Sequence, residues 1–194
     1  MLFLLEGEWL FNEEGFRGAR TEIIQAYLRD TSGEGHLCKY FLNDVVRYWR
    51  TICIDYEIKA RFRSKARGIR YIKLRFSRLL LYFAGVLAVA ETYDVPTSEK
   101  LAVLERTLAM NPIERIRDIV GVVAVPAIAR YSEFLAALSD KDVRAELETL
   151  DPSYVEKPSF IALKESARLF RQELIDILYS KYGPGHEVIK ALLI

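Results

Sequence analysis

Seven charged residues, Asp44, Arg47, Arg50, Glu57, Lys73, Arg75 and Arg78, form the constellation in this sequence best suited to chemistry. That chemistry is recognition of an anion. Guanidinium groups grip phosphate in bidentate pairs, and a carboxylate beside them fixes their orientation. Between positions 39 and 78 the chain carries twelve Lys or Arg against three Asp or Glu, yet its overall formal charge is only +1. The flanking segments are therefore acidic. Such asymmetry points to a surface that meets something negative without naming it; the arginine excess makes phosphate, of a nucleotide or nucleic acid, a candidate partner. Tyr48, Trp49, Tyr56, Tyr71 and Phe76 interleave with the charges and are able to stack on bases. At helical spacing such rings also serve as core.

Steps of three and four put Asp44, Arg47, Thr51 and Asp55 on one stripe of a helix predicted over 39–63. Asn43, Arg47, Arg50 and Glu57 share an overlapping stripe. Lys73, Ser77 and Arg78 come from a second helix predicted over 69–93, with Arg75 on a different side. Apolar residues ring the first helix so widely that it is expected to be largely buried, and its charges then need partners. Two readings follow. One is an ion-pair network tying two antiparallel helices together; the other is a phosphate-binding cleft with more arginine than its acids neutralise.

The remaining periodicity is helical throughout, with no alternating strand and no Asn-Gly hairpin. Asn12 caps a helix to about 29, and Pro96 marks a break after which Thr97 or Ser98 caps the next helix. Asn111-Pro112 starts another. The region 120–139 is expected to be buried, Asp140 opens a short helix, and a helix from Ser159 to about 182 closes at Gly183-Pro184-Gly185. The expected fold is all-α: a single helical bundle of about seven to nine helices with two long central ones. It is one domain over 1–194, with a core in 1–95 and further helices of 96–194 packed on it.

Other chemistry is poorly provided for. Cys38 and Cys53 form no C-x-x-C pair and have two histidines for company, so no metal and no cofactor is expected. The apolar runs 79–90 and 120–129 are too short to span a bilayer, which needs roughly 20 residues. No membrane association and a cytoplasmic location are expected. Arg29 and His36 fit the Arg-x(4–6)-His spacing of helical HEPN-type ribonucleases, though Ser32-Gly-Glu-Gly between them reads as a loop.

The segments Phe41-Leu-Asn-Asp-Val-Val-Arg-Tyr-Trp-Arg-Thr (41–51), Asp55-Tyr-Glu-Ile-Lys (55–59) and Ile72-Lys-Leu-Arg-Phe-Ser-Arg-Leu-Leu (72–80) carry a resemblance. They resemble the C-terminal helical region of a bacterial family of nucleotidyltransferase-like proteins of the polymerase-β type. Residues 4–13 are similar to the segment that follows that family's catalytic domain. The resemblance covers about the first half of the chain. It implies an accessory domain that works beside a separate catalytic domain. The family's two-metal site, a Gly-Ser turn followed by a strand-borne Asp-x-Asp, has no counterpart here. The chain has no Gly-Ser dipeptide, and Asp140-Lys-Asp142 falls at a predicted helix start, where it reads as a cap. No catalytic residue is assigned, and the chain alone is not expected to transfer nucleotides.

The leading expectation is thus a non-catalytic accessory or substrate-binding domain that holds nucleotide phosphate or the acceptor. Arg47, Arg50, Lys73, Arg75 and Arg78 would line the surface, with Asp44 and Glu57 orienting the arginines. A protein-interaction or homodimerisation module is the second reading, and a HEPN-like ribonuclease the third.

Overall fold

The most apolar stretch of the chain becomes its central strut. In the computed structural model, which describes residues 1–29, 35–62, 66–149 and 152–193, α5 (Leu79–Ala90) is buried at every position except Leu79 and Tyr82. It continues without a break from α4 (Arg67–Lys73) through a π-helical turn, Leu74–Arg78, so the two helices form one rod. The upper half of the rod packs against α3 (Lys39–Phe62), α6 (Thr97–Ala109), α7 (Pro112–Val120) and the short α1 (Leu2–Leu5). The lower half packs against α9 (Lys141–Glu148) and α10 (Pro158–Tyr182). Around these, α2 (Glu13–Leu28) lies on α6, α8 (Val125–Ser139) on α9 and α10, and α11 (Glu187–Leu193) on α10. The fold is an all-α bundle, and one apolar cluster runs from Leu4 to Ile189.

Local sequence explains the ends. Asn12, itself at φ 55°, accepts a hydrogen bond from Gly15 N at 3.0 Å and starts α2. Asn111 and Glu114 form a reciprocal capping box on α7, with Pro112 at the first turn. Asp140 accepts from the backbone N–H of Asp142 and Val143, so the Asp-x-Asp pair is indeed a helix cap. Gly183, at φ 74°, stops α10. Gly85 and Gly68 are needed for close approach. A Cβ on Gly85 would stand 2.9 Å from Leu5 Cδ2, and one on Gly68 would stand 2.9 Å from the Leu147 carbonyl oxygen.

Three expectations are corrected. Neither Thr97 nor Ser98 caps α6; Pro96 holds the cap position, its ring fixing the non-helical entry, and no side chain caps the turn. The region 120–139 is only partly buried: Val122 is 83% exposed and Val125 61%, because a 3₁₀ turn (Gly121–Ala124) kinks the path and turns them outward. And α3 buries only its N-terminal half, at Phe41, Leu42 and Val45, together with Ala60, while Ile54 and Ile58 lie exposed. Its charges therefore stay in solvent. Uninterrupted apolar runs also proved too narrow a measure of spanning length. The helical stretch Pro112–Ser139 is long and apolar enough, by length and composition, to cross a membrane; here α7 packs on α5 and α8 on α10.

Candidate anion-binding site

Lys73 and Arg78 meet because the rod is not a regular α-helix between them. At about 100° per residue, positions five apart on an α-helix stand about 140° apart. In the π turn Leu74–Arg78 the hydrogen bonds run to the fifth residue, so five residues make roughly one turn. Both cations then face the same concavity, of about 350 Å³, between α3, the rod and the C-terminus of α9. Lys59 and Arg70 join them there, opposite Asp55 and Glu148.

Charge in this concavity is unbalanced. Asp55 is engaged by Lys59 at 2.6 Å, and Glu148 by Arg144 at 2.8 Å. Arg78 reaches out of its helix to Glu6 at 3.0 Å. Arg70 and Lys73 have no carboxylate partner among the described residues. Burial raises the phenol of Tyr56, which floors the concavity, above its ordinary value and so keeps it a neutral hydrogen-bond donor. Ile52, Ile69 and Leu74 supply the apolar remainder of the wall. Two unpaired cations beside a phenol can hold an oxyanion, and two more can approach it.

The other five residues of the sequence constellation lie elsewhere. Arg75 points from the opposite side of the rod, over the Tyr71 ring at 5.7 Å, into a larger apolar trough. Arg50 lines a third hollow, with Lys39, Asn43 and residues of α11. Asp44 accepts from Tyr27 of α2 at 2.7 Å and sits 3.5 Å from Arg47, whose side chain is largely in solvent. Burial and the Asp44 carboxylate push the Tyr27 phenol up to about 12. Glu57 pairs with Arg61, one turn on, at 3.1 Å, and not with Arg50, two turns away. The seven are therefore not gathered into one cleft.

An ion-pair network between the long helices is absent among the described residues. Each acid on α3 has a base three or four positions along, and it pairs within its own helix. The aromatic residues mostly stack on one another. Phe76 is fully buried against Phe134, with ring centroids 4.3 Å apart, and against Phe170. Trp49 lies on Tyr82, and Tyr56 meets Tyr71. Phe76 is thus unavailable to a base.

Lys59 and Arg70 were absent from the constellation although both stand in the basic run. Arg70 lies one turn before Lys73, and that spacing was a usable signal. Arg29 and His36 do not share a helix. Arg29 follows α2, His36 precedes α3 in non-helical chain, and residues 30–34 between them lie outside the described residues. Between the two long helices, residues 63–65 lie outside the described residues, and α4 begins at Arg67. A scan against protein-family models, a search of curated proteins and a search of solved structures each find no match to this chain.

Proposed function

We propose that this chain is a non-catalytic helical binding domain of a nucleotidyltransferase-like protein, and that it holds nucleotide phosphate or a phosphorylated acceptor in the concavity of Lys59, Arg70, Lys73 and Arg78. The observation that carries this reading is the π turn, which sets Lys73 beside Arg78 in a hollow where Arg70 and Lys73 lack acidic partners among the described residues. A π turn costs hydrogen-bond quality and is found disproportionately at functional positions. Of the segments that carry the family resemblance, 55–59 and 72–80 line this hollow, through Asp55, Tyr56, Lys59, Lys73, Leu74 and Arg78, and 41–51 does not. Arg50 and Arg75 then belong to other surfaces, and Asp44 and Glu57 hold local ion pairs.

Calorimetric titration with nucleoside triphosphate and with short RNA tests the proposal. Binding should weaken as salt rises. Lys73→Ala and Arg70→Ala should each weaken it about tenfold, the worth of one charged hydrogen bond. Arg47→Ala should leave it unchanged. Binding that is absent, or insensitive to Lys73 and Arg70, would overturn the assignment.

A second reading, a protein-interaction module, has one observation in its favour. Leu10 and Phe11 are 92% and 83% exposed, next to a half-exposed Trp9, and form an apolar run that nothing in the bundle covers.

A further inference from the structure

A cavity larger than the Lys73 hollow lies on the other side of the rod. It is a trough of about 650 Å³ between α3, α5, α10 and α11, within the span of about 300–1,000 Å³ usual for small-molecule sites. Its walls are apolar for most of their length: Phe83, Val86, Leu174, Leu178, Ile189 and Leu192. The two cations that line it are Arg75 and Arg171.

These arginines sit at one end. The stacked rings of Phe76 and Phe170, 5.1 Å apart, set the start of the rod's upper half level with the middle of α10. The hydrogen bond from Tyr182 Oη to Glu91 Oε1, 2.8 Å, sets the far ends of the same two helices level. The helices therefore run parallel, and Arg75 and Arg171, each adjacent to a stacked phenylalanine, share the near end. Toward the far end, Val86 lies about 16 Å from Arg75 along the rod and Leu178 about 10 Å from Arg171 along α10. Neither guanidinium has a carboxylate partner among the described residues, and no acid lines the trough. A long apolar channel with two unneutralised guanidinium groups at one mouth is complementary to a molecule with an aliphatic body and a single anionic head.

We propose that this trough binds a straight-chain aliphatic carboxylate, with its head between Arg75 and Arg171 and its tail running toward Val86 and Leu178 beneath α11. The proposal does not depend on the phosphate reading, since the two hollows open on opposite sides of the rod. Trp49 lines the trough and reports on it directly. The protein has two tryptophans, so Trp9→Phe leaves Trp49 as the sole indole.

In that background, titration with dodecanoate should give a saturable change in emission. Dodecanol, with the same tail and no charge, should bind at least about tenfold more weakly. Arg171→Glu alters an exposed residue and should weaken dodecanoate binding by a similar factor or more, even if Arg75→Ala does not fold. Lys73→Ala should leave dodecanoate binding intact. No saturable change with dodecanoate, or equal binding of dodecanol and of dodecanoate to the Arg171 variant, would overturn the proposal. A dimer in sedimentation that Leu192→Glu dissociates would also overturn it, by assigning the trough to a second copy of the chain.

Discussion

His186 shows how one side chain ties acid–base chemistry to helix formation. Its Nδ1 accepts a hydrogen bond from Val188 N at 3.1 Å and so caps α11, while its ring lies between Tyr93 and Tyr182. Burial lowers its affinity for a proton, and nearby Asp94, Glu187 and Glu91 only partly offset this. The unfolded chain therefore binds the proton more readily than the folded one, so stability falls as pH drops below about 6.5. For one proton the slope is at most about 1.4 kcal/mol per pH unit. His186→Asn keeps a capping acceptor without the titration, and urea melts at pH 7 and pH 5.5 should show a smaller loss in the variant. Parallel losses would show that His186 is not the group responsible. The place of His186 directly after Gly183-Pro184-Gly185, at the head of the last helix, is legible in the sequence. Arg115 was not legible at all. It reads as one of several charges on α7, yet it is fully buried, with Nε donating to the Thr107 carbonyl at 2.8 Å and Nη2 to those of Leu5 and Met110. Burial lowers it to about 10. Carbonyls at helix ends take the place of a carboxylate, and no sequence spacing announces such a partner.

Among the elements, those with chemical punctuation were readable and those shaped by tertiary fit were not. Asn12, Asn111-Pro112, Asp140 and Gly183 each mark a helix end because a side chain or a left-handed φ does the work locally. The π turn carries no such mark: Leu-Arg-Phe-Ser-Arg fits an α-helix equally well, and the fit of Phe76 between Phe134 and Phe170 accompanies the altered winding. The π turn keeps Lys73 and Arg78 on one side of the rod; the constellation disperses on α3 instead, where Asp44 and Glu57 pair within their own helix and Arg50 lines another hollow. Gly68 is a second case of tertiary fit. Its lack of a side chain lets the start of α4 approach the Leu147 carbonyl and the Tyr154 ring. Gly68→Ala would normally strengthen a helix, but here it should lower stability by about 1–3 kcal/mol through overpacking. Chemical denaturation measures the difference, and a stabilised variant would show that α9 yields without cost.

At the scale of the whole molecule, the most exposed apolar side chains lie outside the basic run, though Ile54 and Ile58 are exposed within it. The basic run is spread over α3 and the rod, whereas the most exposed apolar residues gather at Leu10 and Phe11 and near Val122. If the Trp9–Phe11 run is an association surface, Leu10→Glu with Phe11→Glu should abolish self-association in sedimentation without moving the thermal midpoint, since both side chains are already in water. A wild-type chain that is monomeric at high concentration would remove the homodimer reading. The all-α class and the continuous helical rhythm were plain from periodicity, but the distribution of neighbours was not, because it depends on which helix faces the rod at each level. The rod has one further consequence. Since α3 packs on both halves of the rod while α6 and α7 wall its upper half and α9 and α10 its lower half, no cut between positions 90 and 97 yields two self-sufficient pieces. Severed there, the first fragment would bare the greasy flank of α5 to water and the second would lose the spine around which it folds.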